Sequence, residues 1–391
     1  MIVDLHSHYP MHLLPRHRGP DESLRNWREE RFRAMVVRLV SKFANYQGPE
    51  DEPGVTVELL REGGVGVALS MLYSPFDEID LDKSYGSPPD PAYFGRLLDQ
   101  LQAVEDDISG HHGRAEVAHD GAALERCLRA GTPALIHAVE GGFHLGAEPD
   151  QIAANVSELA ARGVAYITVA HLFWRGMATN APAIPFLPDW LYRLVFPQPK
   201  AGLSALGTAL VDAMVRNHVL VDVTHMSEQS LTDTFAMLDE RDPARSEVTV
   251  IATHMACRLG TYSYSLPDES IHAVAERGGV LGVINCQHFL RDRHGARAPD
   301  ETAADSLELI CAQIDHIAEV TGSFDHAAVG TDLDGYIKPA LVGFEHSGKL
   351  AELERGLIAR YGAERAAKVC SGNALRVLRR TFAARSGGAS A

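Results

Sequence analysis

The sequence predicts an α/β fold, a single (β/α)8 TIM barrel, and three observations carry that expectation. Short β-branched runs alternate with longer helical patterns, as parallel strands joined by helical crossovers require. The runs are almost continuously apolar, the mark of strands buried on both faces. Eight of them follow one another, which suits a closed ring better than the alternative, an open doubly wound sheet.

In chain order the strands fall near residues 2–6 (IVDLH), 66–72 (GVALSML), 134–140 (ALIHAVE) and 164–170 (VAYITVA), then 218–224 (HVLVDVT), 248–253 (VTVIAT), 279–285 (GVLGVIN) and 326–331 (HAAVGT). Helical patterns separate them at 90–108, 149–162, 205–217, 227–238, 268–277 and 303–321. Three stretches exceed a minimal barrel. Residues 22–46 read as an extra amphipathic N-terminal helix. Residues 172–204, a long Pro-rich and aromatic loop after the fourth strand, read as a lid over the barrel mouth or as a packed excursion or dimer contact. Residues 336–348 form another long loop. Residues 1–380 make one domain, and 381–391 read as a flexible C-terminal tail.

The 391 residues are 46% hydrophobic and 23% charged, an ordinary globular balance. The formal net charge of −16 opposes binding to nucleic acid or an anionic membrane. No stretch approaches the roughly 20 apolar residues of a membrane span. Met1 leads at once into a strand, without the features of a secretory leader. The five cysteines are scattered, with no CxxC pair, which argues for a reducing, cytoplasmic setting and against a thiolate metal site.

A barrel places its chemistry at the C-terminal ends of its strands. Here the first strand ends in His6 and His8, the third in Glu140, the fourth in His171, the fifth in His225, the sixth in His254 and the eighth in Asp332. His6 and His8, two apart, project side by side. This nitrogen- and oxygen-rich set suits zinc or another first-row divalent ion. It exceeds what one ion with an open position needs and suffices for two ions about 3.5–4 Å apart. Glu140 is the natural bridge, and Gly141 and Gly142 let the backbone turn beneath it. His137 has the opposite strand parity and should face the helices; His218 and His326 begin strands and lie at the far face.

With those residues in place, the chain resembles the membrane (renal) dipeptidase family of the amidohydrolase superfamily. The matching blocks are DLHSH, AVEGG (138–142), RGVAYITVAH (162–171), VDVTHMS (221–227), THMACR (253–258), LPDESIHAVAERGGVLGV (266–283) and GTDLDG (330–335). The resemblance implies that His6 and Glu140 bind one metal ion and Glu140, His225 and His254 the other. It implies that His171 contacts the substrate and that Asp332 handles the proton. The reaction it implies is hydrolysis of a small dipeptide's amide bond by a hydroxide bridging two divalent ions, Zn2+ foremost. The chain departs from the family twice. His8 stands where the family usually has Asp; it is expected to remain a ligand and to leave the site one unit more positive, which lowers the pKa of the bridging water. The family's Arg clamp for the substrate carboxylate is absent from TYSYSLPD, where Tyr264 offers only a neutral hydrogen bond. Arg258 is the candidate substitute, or else structural. The alternatives are a hydrolase of N-acyl amino acids, cyclic amides or lactones, and a barrel that binds metal or ligand without turnover. A homodimer is left open.

Overall fold

The computed structural model describes residues 1–13, 53–78, 89–184, 187–292, 301–335 and 340–388. The expected helix over 22–46 and residues 336–339 of the last long loop lie outside them.

The strands are β1 (Ile2–Ser7), β2 (Val65–Leu72), β3 (Glu116–Val117), β4 (Ala134–Glu140), β5 (Tyr166–Thr168), β6 (Leu220–Asp222), β7 (Val250–Met255), β8 (Leu281–Val283) and β9 (Ala327–Val329). All pairings are parallel, in the order β2-β1-β9-β8-β7-β6-β5-β4, and β2 pairs with β4 from Val67↔Ala134 to Leu72↔Val139. That pairing closes the eight-strand barrel expected from sequence. The additional strand β3 has two residues, too few for any periodicity, and pairs with Ala134 and Leu135 below the point where β5 joins β4.

The main helices are α1 (Val57–Glu62), α2 (Ala92–Gly110), α3 (Gly121–Ala130), α4 (Pro149–Ala161), α5 (Asp189–Val195), α6 (Ala205–Arg216), α7 (Glu228–Arg241), α8 (Asp268–Glu276), α9 (Ala303–Thr321), α10 (Leu350–Ala367) and α11 (Asn373–Gly388). Several start where the sequence supplies a cap. Asp120, Ser204 and Ser227 accept from backbone amides of the first turns of α3, α6 and α7, and Thr302 with Asp305 makes a reciprocal capping box on α9.

Alternation along the strands separates two cores. Val3, Leu5, Val67, Leu69, Met71, Ile136, Tyr166 and Ile251 fill the lumen, and Leu375, Leu378 and Phe382 of α11 join them from the closed end. Leu72, Val139, Ile167 and Val221 face outward, against helix residues such as Leu101, Val156 and Met214. Residues 381–388 are therefore helix rather than tail. Phe382 is 3% exposed, and Arg385 donates to His218 O at 3.0 Å and Val164 O at 2.6 Å. The composition ARSGG hid one apolar anchor and one guanidinium able to satisfy strand-start carbonyls.

The described residues of the 172–204 segment pack along the rim. Ala178 bridges to Leu203 and Asn180 to Met226, Ala181 N donates to His225 O, and the Ser263 hydroxyl after β7 donates to Asp189 at the start of α5. Tyr192 is buried, whereas Trp190, Leu194 and Val195 are exposed.

Two strands carry an extra residue at the mouth. Asp4 of β1 faces Ala68 and Ser7 faces Ser70, three steps on one strand against two on the other. Likewise Ala252 of β7 faces Leu281 and Met255 faces Val283. Such bulges re-aim a side chain. The first lets His6 enter the lumen directly after Leu5; the second does the same for His254. The displaced Thr253 carbonyl needs room, and Gly282 and Gly330 leave it: a Cβ on either would lie 1.9 or 1.7 Å from Thr253 O. Gly330→Ala is expected to destabilise the protein by about 3 kcal/mol, the upper range for overpacking. Denaturant unfolding of the variant, showing a lower midpoint at unchanged slope, checks this.

Candidate metal centre

Seven polar side chains from six strand ends converge above the lumen. His6, on the β1 bulge, is fully buried. Its Nδ1 lies 2.9 Å from the Tyr166 hydroxyl, which itself donates to Leu5 O at 2.6 Å. The hydroxyl proton is thus committed, so His6 carries its own proton on Nδ1 and turns the Nε2 lone pair to the mouth. His254 is set the same way, its Nδ1 3.0 Å from Thr253 Oγ1, which donates to Asp222 at 2.7 Å. Asp222 is buried and also accepts from the Thr168 and Thr224 hydroxyls and from two backbone amides. Asp4 plays the corresponding part under β9, accepting from Thr331 N, Thr331 Oγ1 and His6 N.

The Nε2 atoms face one another and Glu140. His6 and His8 are 3.3 Å apart at Nε2, His225 and His254 3.0 Å. Glu140 Oε1 is 3.2 Å from His6, 3.3 Å from His171, 3.5 Å from His254 and 3.8 Å from His225, while Oε2 is 3.4 Å from His8. Asp332 Oδ1 lies 3.0 Å from His8 Nε2 and 3.7 Å from His6 Nε2. Two groups could each hold an ion, His6–His8–Glu140 and Glu140–His225–His254, with Glu140 common to both. His225 and Asp332 sit in left-handed backbone, at φ 68° and 56°. Such strain costs about 1–3 kcal/mol per residue and concentrates at functional sites.

The electrostatics suit cations. Burial, then the neighbouring histidines, hold His6, His225 and His254 well below the ordinary imidazole pKa, and burial lowers His8 despite Glu140. All four are thus kept neutral, the form that ligates a metal. Burial, and then the Glu140 charge, push the Asp332 carboxyl well up. Asp332 Oδ1 and the Tyr264 hydroxyl are buried with no hydrogen-bond partner among the described residues. Facing lone pairs, a shared carboxylate and an orphaned carboxylate oxygen fit two divalent ions. Gly335 keeps the space open, because a Cβ there would lie 1.9 Å from Asp332 Oδ1 and 2.7 Å from His8 Nε2.

His171 differs from the other four. Its Nδ1 is 2.5 Å from Glu78 Oε2, and burial, which would lower its pKa, is outweighed by Glu140 and Glu78, which raise it to about 9. Glu78 is fully buried in the single turn Pro75–Glu78 after β2, where nothing local in the sequence marks it. Tyr166 and Thr253 are equally unmarked, whereas Asp222, a lone Asp inside the apolar run VDVT, is a visible signal.

The remaining candidates fall into place. Tyr264 stacks edge-on to His225, with ring centroids 5.1 Å apart. Arg258 lines the same small cavity as His225 and Tyr264, but its guanidinium is spent on Glu228, Ser263 O and Ser265 O. His137 faces outward to Glu105 of α2 at 3.8 Å, as its parity required.

Residues 2–389 match the family model described as membrane dipeptidase, peptidase family M19. The chain belongs to the membrane dipeptidase family. Family members are metal-dependent hydrolases. Among similar proteins, an uncharacterised protein in the pqqA 5′ region of Klebsiella pneumoniae is 28% identical over 63% of this chain and 82% of its own length. An uncharacterised dipeptidase of Schizosaccharomyces pombe is 30% identical over 56% of this chain; the match spans about half of that protein, 47%. Two crystal structures share the fold over 97% of this chain. One is dipeptidase AC, a family M19 metallopeptidase (TM-score 0.68, 20% identity, 98% of its chain). The other is a Rhodobacter sphaeroides metallopeptidase liganded with a phosphinate mimic of L-Ala-D-Ala (TM-score 0.70, 19% identity, 99% of its chain).

Because the His171 pKa is raised from 6.5 to about 9 in the folded, metal-free chain, His171 adds stability that is fully present below pH 6.5. That contribution is lost as pH rises through about 9. Urea unfolding of the metal-free protein should show stability falling over this window, and the His171→Gln variant should lack the fall.

Proposed function

We propose that this membrane dipeptidase family member cleaves the amide bond of small dipeptides at a two-zinc centre. His6, His8 and Glu140 would hold one ion, and Glu140, His225 and His254 the other. The observation that carries this reading is the pair of ligand groups sharing Glu140 within reach of both Asp332 and His171. Zinc is favoured by the imidazole-rich, sulfur-free donors. Bound there, two such ions would supply a nucleophile by lowering the pKa of a water towards about 7, and would polarise the scissile carbonyl.

The chain's own groups do the rest. His171 directs Nε2 toward the position of the substrate carbonyl and stabilises its developing charge as a donor. Asp332, with an oxygen free of other hydrogen bonds, accepts the proton of the attacking water and returns it to the leaving amine. The uncharged Tyr264 hydroxyl, beside His225, offers the substrate one hydrogen bond. The five cysteines are buried and unpaired, in keeping with a reducing compartment. Among the described residues no helix is long and apolar enough to cross a membrane.

The engaged guanidinium of Arg258 favours a second reading, in which the same centre cleaves N-acyl amino acids or cyclic amides. A panel of dipeptides beside matching N-acyl amino acids, assayed with zinc-reconstituted protein, separates the two. Turnover of free dipeptides, abolished by a chelator and restored by zinc, is the expected result; turnover of acyl substrates alone would leave the second reading. Asp332→Asn is expected to lower kcat by about 10²–10⁴-fold with zinc content unchanged by elemental analysis. A rate like wild type would remove Asp332 from proton transfer.

A further inference from the structure

A fully buried carboxylate needs partners, and those of Glu78 are unusual in what they join. Its Oε2 accepts from His171 Nδ1 at 2.5 Å and from the Tyr73 hydroxyl at 2.7 Å, and its Oε1 accepts from Phe173 N at 2.9 Å. Its backbone carbonyl accepts from Arg175, at 2.9 Å from Nε. Residues 171, 173 and 175 begin the rim segment that follows β5. Glu78 therefore clamps that segment at its root and holds the imidazole at its head. On the other side of the ring, Nε2 is 3.3 Å from Glu140 Oε1.

We propose that Glu78 is the positioning residue of the site: by accepting from Nδ1 it fixes the ring plane of His171 and reserves Nε2 for the reacting centre. The proposal rests on the role given above to His171. A carboxylate at Nδ1 leaves one ring nitrogen free to work and fixes which one, as an orienting carboxylate does for any acid–base histidine. Tyr73 braces the arrangement, since its ring also packs edge-on to His171 with centroids 4.6 Å apart. Glu78→Gln tests it sharply. With Oε1 still accepting from Phe173 N, the new amide nitrogen faces the Nδ1 proton of His171, and since two donors cannot share a hydrogen bond the ring loses its anchor.

The experiment is a double-mutant cycle of Glu78→Gln and His171→Gln in zinc-loaded protein, with kcat, KM, zinc content and ¹⁵N-histidine NMR. Glu78→Gln is expected to lower kcat about 100-fold, the cost of misplacing a catalytic group, with KM and zinc content little changed. In the His171→Gln background the same change should cost less than about threefold, because partners acting as one unit are not additive. A kcat within threefold of wild type, or an undiminished loss in the His171→Gln background, overturns the proposal and makes Glu78 merely structural. The NMR arm is independent of turnover. A far-downfield Nδ1 proton, absent from His171→Gln, should vanish in Glu78→Gln; its persistence overturns the proposal. Wild-type protein inactive on dipeptides would instead sink the functional reading and leave the NMR result standing. If Glu78→Gln fails to fold, Tyr73→Phe removes one brace, and a few-fold kcat loss that disappears without His171 is expected; equal loss in both backgrounds overturns the idea.

Discussion

Imidazole lone pairs and a carboxylate pressed together in a buried chamber repel one another unless positive charge sits between them. His6 and His8 approach to 3.3 Å at Nε2, His225 and His254 to 3.0 Å, and Glu140 touches all four and His171. Outer hydrogen bonds from Tyr166 and Thr253 deny two of these rings the easy remedy of moving a proton onto Nε2. The crowding is thus built in, and it stores an affinity for cations. Much of the mouth follows from this requirement, including buried Asp222 and Asp4, which anchor the ring of donors from below.

Barrel geometry alone does not deliver the convergence. Strict alternation would send Leu5 inward and His6 outward. One extra residue in β1 and another in β7 break the alternation where it is needed, and left-handed backbone at His225 and Asp332 does the same for the ends of β6 and β9. Each device carries a cost, and that cost is spread over neighbours that are small, such as Gly282 and Gly330, or locked by hydrogen bonds, such as Thr253. The lumen below remains an ordinary apolar core, so the strain stays in one layer.

The strands were legible because burial on both faces leaves an unbroken apolar run, and the candidate ligands because each ends such a run. His137 was rightly set aside by parity. His6 and His8 do meet as expected from their spacing, although a bulge rather than simple alternation turns His6 inward. What escaped was whatever depends on partners distant in sequence. Glu78 lies six residues past β2 in a single helical turn, where nothing local distinguishes it from a surface acid. The engagement of Arg258 with Glu228 and two carbonyls has no local signature either. The C-terminal helix was misread because Ser and Gly dominate its last turn, while Phe382 and Arg385 gain their meaning only from the barrel floor.

The closure of the ring joins the two ends of the chain. β1 pairs with β9, Asp4 receives hydrogen bonds from Thr331, 327 positions away, and Asp332 N donates to the carbonyl of His6. During synthesis the first strand therefore emerges with one neighbour still uncoded into protein, and the floor helix α11 comes later again. Contacts so distant in sequence form slowly, and large chains pass through partly ordered states on the way. His6 and His8 precede the other candidate ligands in the chain, yet their pocket exists only once β9 has been made. Until β9 is made, β1 has only β2 to pair with, and a nascent chain stalled before residue 327 would present both histidines beside an open strand edge.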